Sequence, residues 1–168
     1  MPTSTLAPTA SLLHQLRMSR GGTKLLLAGI PTDQFCTQPM PDGHHAMWIV
    51  GHLASTDDYF GKEFAGAASA LPKSWHELFG MGSKPSSDAS RYPAPAEVLQ
   101  ALDDRRAPLE KWIEGLSPEQ LAKSNGKDWA PYAPTVGDLP FFIAWHEGYH
   151  AGQLAAVRRS LGLPSAFG

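Results

Sequence analysis

Four stretches of this chain repeat apolar residues at spacings of three, four and seven, and none alternates apolar with polar residues long enough to build a half-buried strand. The chain is therefore expected to be all-α. The first stretch runs from about Leu12 to Ala28, where Leu12, Leu16, Thr23, Leu26 and Leu27 trace a mainly apolar stripe interrupted near Gly21-Gly22, and Gly29-Ile30-Pro31 stops it. The second follows Pro41-Asp42-Gly43 and carries Trp48, His52, Thr56, Tyr59 and Phe60 towards Phe64. The third opens on Pro95, a residue suited to a first helical turn, and sets Val98, Leu102, Leu109, Trp112, Ile113 and Leu116 along one side, with Pro108 expected to bend it. The fourth spans roughly Val136 to Leu161 behind a Thr135-Val136-Gly137-Asp138 start signal, and Gly162 and Pro164 end it.

The segments between these stretches are short except one. From Ala65 to Pro95 the composition shifts to Gly, Ser and Pro, a long crossover with a short helix near Trp75 to Phe79, while Ser117-Pro118-Glu119-Gln120 reads as a capping box opening another short helix. Four amphipathic helices with one long connection pack most economically as a four-helix bundle, here of up-down-down-up type with the crossover between the second and third helices. A length of 168 residues with 42% hydrophobic content suits one core, so residues 11–168 are expected to form a single domain behind a flexible Pro/Thr/Ser-rich tail, residues 1–10. That tail does not read as a secretory signal, and no apolar run approaches the ~20 residues that cross a bilayer. With only Cys36 there is no internal disulfide, and a cytoplasmic protein is expected. A net charge of −2, with Arg105-Arg106 and Arg158-Arg159 as isolated basic pairs, gives no stripe for nucleic acid.

Chemistry enters with the histidines. On a helix, residues four apart lie on one face, so His146 and His150 in Trp145-His146-Glu147-Gly148-Tyr149-His150-Ala151-Gly152-Gln153 can converge on one ion, and His52 in Gly51-His52-Leu53 offers a third imidazole from the second helix. Each alone also reads as a hydrogen-bonded core histidine. All three, in the middle of two core helices, favour a divalent metal site with room for water or substrate. His14, His44, His45 and His76 read as surface or capping residues, and Cys36 lacks a local activating signal.

His146-Glu147-Gly148-Tyr149-His150 also satisfies H-E-x-x-H, the metallopeptidase pattern in which the glutamate is general base. Ala151-Gly152-Gln153-Leu154 lacks the metzincin continuation, no Glu or Asp follows His150, and no strand offers an edge to a peptide, which places the peptidase reading second. Glu147, about 100° around the helix from His146, is a candidate general base or a residue that holds a ligand from behind, with a solvent-facing glutamate as the alternative. Gln153, near His150, is a candidate for orienting it. Trp48, Tyr59, Trp145 and Tyr149 are candidates for a cavity wall, and equally for ordinary core.

Together, Gly51-His52-Leu53-Ala54, His146 through Leu154, Arg158-Arg159 and Leu161-Gly162-Leu163-Pro164 resemble the DinB-like superfamily over nearly the whole chain, from about Leu12 to Pro164. The resemblance implies a four-helix bundle in which His52, His146 and His150 bind a divalent ion, with zinc or nickel foremost. It also implies a homodimer and a metal-dependent enzyme acting on a small molecule, with transferases and isomerases that use a low-molecular-weight thiol among the relatives. A three-histidine site would equally suit a metal-assisted hydrolase by acidifying a bound water, and apolar residues of the first or third helix are candidates for the dimer seam. A non-catalytic metal-binding bundle is the other class. A structural site would be closed by a fourth protein ligand, whereas a catalytic one keeps a position open to a cavity.

Overall fold

The structure, a computed structural model, describes residues 8–168. Among the described residues there are six α-helices, three short 3-10 turns and no strand: α1 Pro8–Leu27, α2 Ala46–Ala65, α3 Lys73–Phe79, α4 Pro95–Glu114, α5 Pro118–Leu121 and α6 Leu139–Ser160. The expected all-α fold is the observed one, with α1, α2, α4 and α6 as the long helices. Residues 1–7 of the expected tail lie outside the described residues, but Pro8, Thr9 and Ala10 belong to the first turn of α1 rather than to a loose tail. A proline is tolerated there because the first amides of a helix have no intrahelical acceptor. No helix among the described residues is long and apolar enough to cross a membrane.

Local chemistry explains where the helices start and stop. His45 caps α2: its Nδ1 accepts from the Trp48 amide at 3.1 Å, and its Nε2 donates to the Ser86 carbonyl at 2.8 Å. Of the two expectations for His45, surface or cap, the cap is what the structure has: the residue is fully buried, with Ser86 of the crossover against its ring. At the other end of α2, Gly66 takes the left-handed conformation with φ 65°, which a side chain would resist. Both sequence-read capping boxes form, at Ser117 with Gln120 and at Thr135 with Asp138.

The long helices pair chiefly as α1 with α6 and α2 with α4, and lesser contacts of α1 with α4 and α2 with α6 close the ring. The pairs α1 with α2 and α4 with α6 therefore lie diagonally across the bundle, whereas α2 and α4 are neighbours joined by the crossover, which carries α3 against α2. The apolar interior is in two parts. One gathers Ile49, Val50, Phe79, Val98, Leu102, Leu154 and Val157; the other gathers Leu16, Phe60, Leu109, Ile113, Leu139 and Ile143. Each fully buried Leu or Ile adds roughly 1.5–3 kcal/mol relative to an exposed one. Between the two parts, Arg20, Asp57, Arg106 and Glu147, one from each long helix, meet as a buried charged group. Among large apolar residues left exposed, Met18 and Leu25 lie on α1 and Phe141, Trp145 and Tyr149 on α6, while α4 contributes none.

Candidate metal centre

Helix α2 places His52 one turn beyond Trp48, and α6 places His146 and His150 one turn apart, so that the three rings meet between the two helices. His146 Nε2 lies 3.2 Å from His52 Nε2 and 3.2 Å from His150 Nε2. The outer nitrogens explain which way the lone pairs point. His52 Nδ1 donates to the Phe79 carbonyl at 2.7 Å, and His150 Nδ1 donates to Gln153 Oε1 at 2.8 Å, so both rings carry their proton on Nδ1 and turn a bare Nε2 inward. Gln153 thus orients His150, as its place in the sequence suggested.

Two inward lone pairs beside a third imidazole call for a positive partner. Burial pushes all three imidazoles below their ordinary pKa: His146 to about 4, with His52 as the next cause, His150 to about 3, with His52 and His146 next, and His52 downward against the opposing pull of the Phe79 carbonyl. The rings are neutral at neutral pH, which is the form that binds a metal. Two ligands ~2.0–2.1 Å from one ion at near-tetrahedral angles are roughly 3.2–3.4 Å apart, so the observed separations fit a single divalent ion. An all-imidazole set suits zinc and nickel, among others. Trp48 stacks on His52 with ring centres 4.6 Å apart and planes 9° from parallel, holding that ring from behind.

On the His52 and His146 side the cluster borders a cavity of about 500 Å³, walled by Tyr59, Phe60, Trp129 and Phe142 with Met81 at its edge. Tyr59 is in this wall as the sequence suggested, and Trp48 lies behind His52. Trp145 and Tyr149 are not in the wall: they are 65% and 58% exposed on the outer face of α6, because each lies two residues past a buried one, Ile143 and Glu147, and so about 200° around the helix from it. Trp129, from the loop before α6, and Phe142 supply the wall instead.

Glu147 is fully buried, which removes the solvent-facing alternative. Its Oε1 accepts from Arg20 Nε at 2.6 Å and its Oε2 from Arg106 Nη2 at 2.7 Å, while Asp57 Oδ2 accepts from Arg20 Nη2 at 2.8 Å and Arg106 Nε at 2.9 Å. Burial alone would raise the Glu147 pKa, but Arg106 and then Arg20 outweigh it and hold the carboxyl below its ordinary value. Arg106 also overcomes its desolvation through Asp57 and Glu147 and stays charged. Reading the sequence by motif missed Arg20, Asp57 and Arg106. The available signal was a charge set into an apolar stripe, as in Leu16-Arg20-Thr23 and Leu102-Arg106-Leu109, where an unpaired ion is too costly to bury. Arg158, half of another basic pair, is likewise buried and donates to the carbonyls of Leu26, Ala28 and Pro164, tying the end of α1 to α6.

Cys36 is buried away from this cluster, and burial, then the charge of Asp88, raises its thiol pKa. A raised pKa means less thiolate at neutral pH, so the native protein is expected to react with Ellman's reagent far more slowly than the chain unfolded in guanidinium, with the native rate still climbing above pH 8.5. Equal rates in the two states at pH 7.5 would contradict this burial.

A helical bundle with three imidazoles turned onto one point, beside an apolar cavity, defines a class of candidate metal-site bundles. The chain belongs to the DinB superfamily, whose family model matches residues 15–154. No curated protein matches it. Among solved structures it is similar to a conserved protein from Enterococcus faecalis, at 20% identity and TM-score 0.74 over 94% of this chain and 99% of the other. It is also similar to YfiT from Bacillus subtilis, described as a probable metal-dependent hydrolase with an unusual four-helix bundle topology, at 16% identity and TM-score 0.67 over 98% of this chain and 94% of that one. At these identities the likeness is one of fold.

Proposed function

We propose that this chain is a divalent-metal-dependent hydrolase of a small molecule, with His52, His146 and His150 as the metal ligands. The observation that carries the reading is the inward turn of the Nε2 lone pairs, fixed by the Phe79 carbonyl and by Gln153, at the end of a cavity. The group that could hold an ion comprises these three histidines, with no fourth histidine, cysteine or carboxylate joining it among the described residues, which favours a catalytic over a closed structural site. The description of YfiT as a probable metal-dependent hydrolase agrees with it. Bound there, a zinc or nickel ion would polarise a substrate carbonyl and acidify a water.

The rest of the work falls to the chain's own residues. Trp129, Phe142 and Phe60 exclude bulk water from one side of the site. Glu147 is assigned a positioning role rather than general base, since both its oxygens already accept from guanidinium groups and its lowered pKa opposes taking a proton. The same engagement argues against the H-E-x-x-H peptidase reading. Thiol-dependent transfer is less favoured, because no lysine or arginine is among the residues of the cavity wall to hold a multiply carboxylated thiol.

Elemental analysis of the purified full chain tests the assignment. Wild type, dialysed against zinc and then buffer, is expected to keep stoichiometric metal, and His52→Ala, His146→Ala and His150→Ala each to lose it by at least about tenfold. Glu147→Gln should weaken the site without emptying it. Metal content unchanged in the three alanine variants would overturn the proposal.

A further inference from the structure

The cavity beside the histidines is more selective than its size suggests. Its wall is aromatic: Phe60 and Trp129 have ring centres 5.3 Å apart, Trp129 and Phe142 are 5.8 Å apart and nearly perpendicular, and Phe142 stacks at 6.3 Å on His146 itself. Rings presented edge and face in this way are the surroundings a further flat ring prefers. No lysine, arginine or carboxylate lines the wall, and His76, at its exposed edge, lies 3.7 Å from Asp58, so no unpaired cation or carboxylate waits for a charged guest.

One polar group in the wall is unanswered. Ser55, 4% exposed and one helical turn beyond His52, borders the cavity, and its Oγ has no hydrogen-bond partner. Among the described residues only Arg158 Nε, elsewhere in the fold, shares that condition. A buried hydroxyl without a partner is costly, and a single rotation about χ1 is the freedom it has to meet a guest. Ser55 and His52 lie on the same face of α2, so an atom held by the serine keeps the neighbouring atoms of a small molecule near the imidazoles.

We propose that the substrate is an uncharged molecule with an aromatic or similarly flat apolar group, seated among Tyr59, Trp129 and Phe142, whose polar group is hydrogen-bonded by Ser55 and whose scissile bond lies at His52 and His146. This rests on the metal-dependent reading for its chemistry, but the seat itself does not depend on an ion. A cavity of about 500 Å³ accommodates one ring with a short substituent. The serine then separates polar aromatic guests from plain hydrocarbons.

Benzamide, acetamide and toluene are the probes, with binding to the full-length chain measured by tryptophan fluorescence and calorimetry, once as purified and once with EDTA present. Benzamide is expected to bind roughly tenfold or more tightly than acetamide in both conditions. Ser55→Ala should weaken benzamide about threefold to tenfold and leave toluene unchanged. Thr56→Trp, which fills the cavity from its half-buried rim, should abolish binding of both ring compounds while the thermal transition of the variant shows it folded. No preference for benzamide over acetamide, or benzamide binding untouched by Thr56→Trp, overturns the proposed seat. Because the EDTA arm needs no metal, loss of the ring preference there is distinct from a failure of metal binding in the histidine variants.

Discussion

Arg106→Ala is expected to destabilise the protein by about 3–5 kcal/mol, a large part of the roughly 5–15 kcal/mol that holds a domain together. Arg106 is 4% exposed and donates to both Asp57 and Glu147, themselves 1% and 0% exposed. Without it, two carboxylates that water cannot reach share the single guanidinium of Arg20. Arg106→Lys should recover part of the loss, since an ammonium keeps the charge but not the two-pronged geometry. The contrast is Arg17→Ala: Arg17 pairs with Glu110 at 2.8 Å but its side chain is 59% exposed and the pair is screened by water, so its removal should leave the urea midpoint close to that of wild type. Urea titrations of the three variants measure this directly. An Arg106→Ala variant within about 1 kcal/mol of wild type would mean that the four-residue network does not hold the helices together.

Gly51→Ala carries the second large effect, and its sign runs against helix propensity. In the middle of a helix such a change ordinarily stabilises by roughly 0.5–1 kcal/mol. At Gly51, however, a Cβ would sit 2.4 to 2.6 Å from ring atoms of Phe79, which is fully buried and wedged against Trp75 and Tyr92. The ring has nowhere to go, and overpacking of this kind costs about 1–3 kcal/mol or more. The disturbance also reaches chemistry, because the backbone carbonyl of Phe79 accepts the His52 Nδ1 proton at 2.7 Å. Zinc affinity is therefore expected to fall about 10- to 100-fold, the usual consequence of losing a partner behind a ligand histidine. Gly148→Ala on α6, where an added Cβ meets nothing within 4 Å, should instead be neutral or stabilising. If Gly51→Ala melts at or above wild type with unchanged zinc affinity, the Phe79 contact is not what seats His52.

The histidine cluster shows how much of a site can be read before a fold is known. His146 and His150 needed only the geometry of one helix, and their meeting was legible from a spacing of four. His52 required two helices to be neighbours, which the order of elements suggested and the packing of α2 on α6 supplied. Phe79 contributes through a main-chain oxygen at the end of a seven-residue helix, and no residue type announces that role. Glu147 was singled out by motif, but the motif gave no hint that two arginines, on α1 and α4, already hold its oxygens.

Helix identity, the caps at Ser117 and Thr135, and the inward faces of the long helices were set by residues within a few positions of one another, since side-chain direction along a helix is a local property. Those features the sequence determined by itself. The pairing of α1 with α6 and α2 with α4, the burial of four charges between two apolar clusters, and the aromatic cavity joining Tyr59 to Trp129 and Phe142 were decided by tertiary structure alone. They join residues tens of positions apart, and the cost of burying an ion or leaving a hydroxyl unanswered takes a value only when the opposing helix is in place.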